Sequence, residues 1–430
     1  MLSCPVFFCT PPPHQEMTRV HNNINKKEKR TRNGIISRHY DRVTEKIKKK
    51  EKKRSRKVEE ETTTTSLLRT FNNNVKRALI ASAVAAVQQT KKQKDTSSSS
   101  SLRVLDLCCG RGGDVHKWHQ VAGPLCSLDY IGLDISPASV AECQRRFDEG
   151  AHRSRTLHHA RCLVGDAFNS EEEKEKEKEK EKEKEEEGDI IAVNCRRHHQ
   201  HLVRDMLWES AVSSTTLTTS AKKTTTTTTS MPFDIVSCQF AFHYACTSAA
   251  HAIAALQSIA TTLAPRGVLC MTVPDADAVA RLFVGVHRTS IANAVCRLDL
   301  MAPTTIADLR EALLLLEAGR KEEEGGMSAP FWGVEYRFTL ADSVDGVVEY
   351  MVPCAALARL AEEHTSLTHV ETRPFASYED SSNGIGCDGA MPESQREVCR
   401  LYKTLIFQKK QHQQPDTTPQ QQQQNSTVMI

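Results

Sequence analysis

Four polar side chains fall where apolar runs stop, and their spacing suits a grip on an adenosine. Asp106 lies in the run 104–107 just ahead of a glycine-dense turn, Asp134 closes 130–134, Asp166 follows 162–164, and Gln239 follows 233–238. In parallel sheets ligands lie over the carboxyl ends of the strands, so binding residues are expected at these points. An acidic residue 24 positions after Gly110 can accept hydrogen bonds from both ribose hydroxyls and disfavours a 2′-phosphate. Asp166 can accept from an adenine amino group. Any one of these Asp residues could equally cap the helix that follows it, but three together favour a cofactor. The turn reads C-x-G-x-G-G and not the G-x-G-x-x-G of dinucleotide folds. A cofactor without a pyrophosphate needs less of the helix N-terminus, which points to S-adenosylmethionine with its amino acid end over the turn.

The elements that must position these residues can be read from periodicity. Val104, Leu105 and Leu107 suit a strand buried on both faces, and Gly110, Gly112 and Gly113 let the backbone turn tightly against a ligand. Such a turn alone serves loop closure as well as nucleotide binding. Strands follow at 130–134, 162–164, 233–238 and 268–273, the last entered through a turn at Pro265, Arg266 and Gly267. Ser136 and Pro137 read as the cap and first turn of a helix burying Val140, Cys143 and Phe147, and 249–263 is an Ala-rich helix. Upstream, 67–87 has helical spacing with Phe71, Val75 and Leu79 on one face, and 36–41 is a short ordered segment. The alternation predicts an α/β fold, a doubly wound, mostly parallel sheet of the Rossmann-like type. Segments 336–340, 347–352 and 401–407, with a helix at 355–363, are expected to complete the sheet and its lid.

Composition limits how much of the 430 residues can fold. Residues 171–187 alternate Glu and Lys, and 213–230 are dominated by Thr and Ser; both read as solvated insertions, with a helix at 202–208 between them. Residues 1–34 are expected to form a disordered arm, 35–410 the folded domain, and 411–430 a disordered Gln-rich tail. Lys and Arg number 57 against 54 Asp and Glu, so the net charge of +3 selects no partner class. Eight of the ten residues 48–57 are basic, which fits a solvated arm, a nuclear import signal or a phosphate-contacting tail alike. The 15 cysteines are odd in number and lack CxxC spacing, as expected of reduced thiols in an intracellular protein. No apolar run reaches the ~18 residues of a membrane span. A transit peptide in the basic, acid-poor stretch 17–39 stays open. His198, His199 and His201 lack the spaced partners of a metal site.

The motifs resemble the eukaryotic mRNA cap (guanine-N7) methyltransferases. DLCCGRGGD (106–114) with Lys117 and Trp118 stands where that family reads DLGCGKGGD. FNNNVK (71–76), ISPASVAECQRRF (135–147), FDIVSCQFAFHY (233–244), EYRFTL (335–340), VEYMV (348–352) and LYKTLIF (401–407) follow in family order. FNNNVK and FDIVSCQFAFHY are the specific signals. The resemblance implies that Lys76, Cys108, Asp134, Asp166, Gln239 and Tyr244 surround S-adenosylmethionine. It implies that Asn72, Asn73, His243, Glu349 and Tyr402 form a cap pocket, with Arg111, Lys117 and Arg146 near the cap phosphates. Surface solvation is the plainer reading of Lys117 and Arg146, and His243 with Tyr244 could be a satisfied core pair. Glu349 is flanked by Val347, Val348 and Met351, an odd place for an unpaired carboxylate, where it could accept from guanine N1 and N2. Three departures stand out: Cys108 replaces a glycine, Asn74 a tryptophan, and Asp275 a common asparagine.

The implied activity is methyl transfer from S-adenosylmethionine to N7 of the cap guanine of GpppRNA. N7 carries a free lone pair and the sulfonium is already a good leaving group, so no acid or base residue is expected, and alignment does the work. The implied partners are capped RNA with RNA guanylyltransferase or the RNA polymerase II machinery, and the implied compartment is the nucleus. Two other readings stay open: a methyltransferase of this fold acting on another RNA, and a silent RNA-binding subunit of a capping complex in which Cys108 blocks the cofactor.

Overall fold

The computed structural model describes residues 32–54, 65–92, 101–122, 127–151, 158–168, 232–317, 331–379 and 391–411. The stretches 171–187, 202–208 and 213–230, the tail beyond 411 and His198, His199 and His201 lie outside the described residues.

Seven strands form the central sheet in the order β10-β11-β5-β4-β1-β2-β3. They are β1 (Ser101–Leu107), β2 (Ser127–Asp134), β3 (His158–Val164), β4 (Phe233–Gln239), β5 (Leu263–Pro274), β10 (Leu367–Pro374) and β11 (Tyr402–Lys409). The pairs β1–β2, β2–β3, β1–β4 and β4–β5 are parallel, and β11 runs antiparallel to both β5 and β10. After Ser101 every residue of β1 is buried, as apolar strands covered on both faces require. Helices α2 (Ser66–Lys92), α3 (Val115–Ala122) and α4 (Pro137–Ala151) pack on one side around Trp118, Tyr130 and Phe147. Helices α5 (Ala249–Thr262) and α8 (Cys354–His364) cover the other. In α2 the stripe Phe71, Val75 and Leu79 is buried at helical spacing, and in α4 so are Val140, Cys143 and Phe147.

The segments at 336–340 and 347–352 do not complete this sheet. They are β8 (Glu335–Leu340) and β9 (Val344–Tyr350) of a second, antiparallel sheet ordered β6-β7-β8-β9, with β6 (Ser290–Ala292) and β7 (Cys296–Leu300). The cause is local. Only three residues separate β8 from β9, Asp342 holds a left-handed φ of 61°, and Ser343 N–H donates to Leu340 C=O. So short a connection closes a hairpin, whereas a parallel pair needs a long crossover. This sheet shares a core with α6 (Ala276–Val286), α7 (Ile306–Glu317) and α9 (Glu393–Cys399). The turn expected at 265–267 lies inside β5 as an irregularity in which Arg266 has φ 64°.

The short segment expected at 36–41 belongs to a 23-residue helix, α1 (Arg32–Arg54), which carries the basic run onward to Arg54. Its polar face is anchored on the start of α4. Ser37 Oγ donates to Ile135 C=O (2.9 Å), Asp41 Oδ1 accepts from Ser136 Oγ (2.6 Å) and Ala138 N–H (3.2 Å), and the Thr44 and Ser139 hydroxyls lie 3.1 Å apart. Thus α1 is tied down beside the carboxyl end of β2.

Candidate functional site

Over the carboxyl ends of β1, β2 and β4 the chain leaves a cavity of about 360 Å³. The strand order reverses between β1 and β4, where a doubly wound sheet opens its crevice. The glycine turn forms one wall. Gly112 has φ 71°, and a Cβ there would come within 3.0 Å of the Cys143 backbone. Cys108 has φ 56°, a left-handed conformation that suits glycine, and its side chain lines the cavity.

Asp134 both caps and faces the cavity. Its Oδ2 accepts Gly110 N–H at 2.8 Å and its Oδ1 accepts Ser136 N–H at 2.9 Å, so the carboxylate holds the turn and the entry to α4 together. Burial raises its pKa to about 6, against the pull of those two donors. Asp166 lines the cavity and accepts Phe168 N–H at 3.0 Å. Gln239 donates to Cys270 C=O, while its buried Oε1 lacks a partner among the described residues. Tyr244 lines the same wall with its hydroxyl 3.0 Å from that of Tyr40.

The second sheet, the turn after β4, β11 and α2 contribute further lining residues. They are Glu349 on β9, His243 in the turn after β4, Tyr402 on β11 and Asn72 on α2. Glu349 is 5% exposed, and burial pushes its pKa up to about 7, tempered by the Tyr336 hydroxyl that donates to Oε2 at 2.7 Å. His243 Nε2 lies 3.9 Å from Glu349 Oε1, but burial lowers the imidazole pKa to about 3, so the two do not form an ion pair near neutrality. Neither ring nitrogen of His243 has a hydrogen-bond partner among the described residues, and nor does Asn72 Oδ1.

Five of the expected site residues do not line the cavity. Lys76 and Lys117 both pair with Asp114, at 2.8 and 2.7 Å, and Lys117 also donates to Asn73 Oδ1 (3.0 Å) and Gly113 C=O (2.8 Å). At 2% exposure Lys117 is not a solvated surface residue. This knot fastens α2 to the glycine turn, and the two cations hold the Asp114 carboxyl below its usual range despite burial. Arg111 and Arg146 converge on Glu142 of α4, at 3.8 and 2.8 Å. Arg145 and Arg146 hold the Glu142 pKa down to about 2.

Among the lining residues outside the sequence-based site set are Ile36, Tyr40 and Phe240. Ile36 and Tyr40 come from α1, whose only signal was the apolar and aromatic content of 36–41. Phe240 lies inside the FDIVSCQFAFHY motif. It adopts φ 57°, donates its N–H to Thr272 Oγ1 at 2.8 Å, and sets its ring against Phe375 and Tyr402, at 5.8 and 5.1 Å between centroids. A bulky residue held left-handed at a cavity wall is backbone strain of the kind found at binding sites.

The unpartnered buried atoms of Asn72, Gln239 and His243, with an acidic residue at a strand end, fit an adenosine-type ligand and a second flat polar group in one cavity. Among the described residues no cluster of metal ligands occurs.

This strand order, with its glycine turn and strand-end acid, is the α/β fold of the S-adenosylmethionine-dependent methyltransferase type. The chain belongs to the mRNA (guanine-N(7))-methyltransferase domain family, whose model matches residues 23–205 and 189–386. It is similar to mRNA cap guanine-N(7) methyltransferase 1 of Arabidopsis thaliana, 29% identical over 265 residues that cover 61% of this chain and 52% of the relative. It is also similar to the mRNA cap guanine-N(7) methyltransferase of Drosophila melanogaster, 25% identical over 280 residues, 65% of this chain and 48% of the relative. The chain spans about half the length of the curated relatives it matches. A solved S-adenosylmethionine-dependent methyltransferase from Clostridium acetobutylicum ATCC 824 aligns at 9% identity and a TM-score of 0.35, covering 75% of this chain and 89% of the other.

Proposed function

We propose that this chain transfers a methyl group from S-adenosylmethionine to N7 of the guanine that caps RNA 5′ ends. The observation that carries the reading is that Asp134 and Glu349, from two different sheets, line one continuous cavity. Family membership supports it. Bound S-adenosylmethionine would supply a methyl group already activated on a sulfonium. Asp134 would accept from the ribose hydroxyls, since each of its oxygens spends one lone pair on a backbone donor and keeps another. Asp166 and Gln239 would receive the adenine, and Cys108 would lie against the amino acid end. Glu349, when ionised, would accept from the N1 and N2 donors of guanine. It would also favour the positive charge that develops on the purine as the methyl arrives. His243 and Tyr402 would bound the base, and Asn72 would offer its free oxygen to either ligand. No residue is assigned a proton transfer. The chain's contribution is to exclude water and hold the two ligands in line.

Asn73, Lys76 and Lys117 serve this reading by fixing the helix and turn that shape the cavity. Arg111 and Arg146 are the proposed source of positive charge for the cap phosphates, by exchanging part of their bond with Glu142. RNA guanylyltransferase and RNA polymerase II machinery are proposed protein partners, and the nucleus is the proposed compartment, with which the basic run 48–57 is compatible. Incubation with methyl-labelled S-adenosylmethionine and GpppRNA, uncapped RNA or tRNA tests the reading. Label is expected only on GpppRNA, at guanine N7. Label on uncapped RNA or tRNA instead would assign another substrate, and absence of S-adenosylmethionine binding would leave a silent RNA-binding subunit.

A further inference from the structure

The Glu349 carboxylate is ringed by hydroxyls and not by cations. Tyr336 stands directly opposite it across the β8–β9 ladder, both side chains are buried, and the phenol donates to Oε2 at 2.7 Å. Among the described residues Tyr40 from α1, Tyr244 and His243 from the turn after β4, and Tyr402 from β11 are the other titratable groups facing it. No Lys or Arg lines the cavity among the described residues. A buried carboxylate without a cation keeps its charge only through hydrogen bonds, and otherwise takes a proton. Among the described residues Tyr336 makes the one short hydrogen bond to this carboxylate, and it engages Oε2 alone. The remaining oxygen, Oε1, is the one nearest His243 on the cavity wall.

We propose that Tyr336, which is absent from the cavity lining, is a positioning residue of the base subsite: it pins one oxygen of Glu349 in the ionised form and leaves Oε1 to read the donor edge of the bound base. This rests on the reading of Glu349 as the base acceptor. The phenol is suited to the task because burial raises its own pKa well above the ordinary value, so it stays a donor across the accessible pH range. With Tyr336 in place the Glu349 pKa already stands at about 7. Loss of the donor moves it further up, so at neutral pH the carboxyl would be mostly protonated and short of one acceptor.

The test is calorimetric binding of the cap dinucleotide GpppG to the full chain between pH 6 and 9. Wild type is expected to show an acid limb near neutrality, where affinity falls as Glu349 protonates. Tyr336→Phe is expected to move that limb to higher pH, with affinity about 10-fold weaker at pH 7 and converging on wild type as the solution becomes alkaline. A merely structural role would lower affinity equally at every pH. Site-specific 3-fluorotyrosine at position 336, a stronger donor in the same shape, is expected to move the limb the other way, and it answers the question if the phenylalanine variant does not fold. Glu349→Gln separates the two ideas. If Glu349→Gln binds GpppG like wild type, the base-pocket reading fails and the proposal with it. If Glu349→Gln loses binding while neither substitution at 336 moves the limb, Glu349 keeps its role and the assignment to Tyr336 is overturned.

Discussion

Cys108 shows how a single side chain can work against its own backbone. At φ 56° an L-residue with a Cβ carries roughly 1 kcal/mol of left-handed strain that glycine would not. The same Cβ and sulfur stand in the cavity, where the family motif has no side chain at all. Cys108→Gly is therefore expected to tighten S-adenosylmethionine binding by several-fold in calorimetry while leaving the melting temperature level or slightly higher. Strain relief is partly offset by the greater freedom of glycine in the unfolded chain. A weaker-binding Cys108→Gly would mean that the thiol makes a favourable contact. Such a contact would have to be neutral, since burial keeps the thiol pKa well above its ordinary value.

Among the elements, α1 is held differently from the rest. The core helices are seated by apolar stripes, whereas the described polar anchors of α1 are hydroxyls, the Asp41 carboxylate, which accepts from both Ser136 and Ala138, and an exposed pair of Lys46 with Asp345 of β9 at 3.6 Å. Asp41→Ala leaves those two donors short and is expected to cost about 1–2 kcal/mol of docking. Faster amide exchange in α1, with β1 and β2 unchanged, would register it, and unchanged protection would show that the polar anchors are dispensable.

The difference in anchoring also explains which elements could be read from the chain. Phe71, Val75 and Leu79, or the apolar run of β1, announce themselves by period because burial on a broad face is what holds them. The stretch 36–41 carries no such period, and its continuation into a basic run has the composition of a solvated arm, so the length of the helix is not legible in the sequence. The second sheet is hidden from the sequence for another reason. A strand's apolar alternation does not say which sheet it joins, and only the three-residue connection between β8 and β9 decides that they form a hairpin. Of the site, strand-end residues such as Asp134, Asp166 and Gln239 were legible because topology alone places them. Lys117 and Lys76 have the composition of ligand-binding cations, and only the fold shows them spent on Asp114.

For the molecule as a whole, the cavity sets ligand binding against stability. Glu349 has a folded-state pKa of about 7 against an ordinary 4.5, and Asp134 of about 6 against 3.8. A carboxyl whose pKa is raised by folding holds its proton longer in the native state, so its contribution to stability is lost as pH rises between the unfolded and folded values. His243, lowered from 6.5 to about 3, acts in the opposite sense below neutrality, so the carboxyl effect is best isolated by difference. Relative to wild type, Glu349→Gln is expected to gain stability as pH rises from 5 to 8, by up to about 3 kcal/mol, with the two proteins nearly equal at the acid end. Denaturant melts at intervals across that range give the slope. A flat difference would show that Glu349 is already ionised in the free protein at pH 5.

The cavity walls include Ile36 and Tyr40 near one end of the described chain and Tyr402 near the other. During synthesis the strands β1 to β5 can pair while later residues are still inside the ribosome, but the wall at Tyr402 is still missing. The pocket is thus the last part of the molecule to be finished, and a nascent or C-terminally clipped chain would carry a nearly whole sheet around a cavity still open on one side.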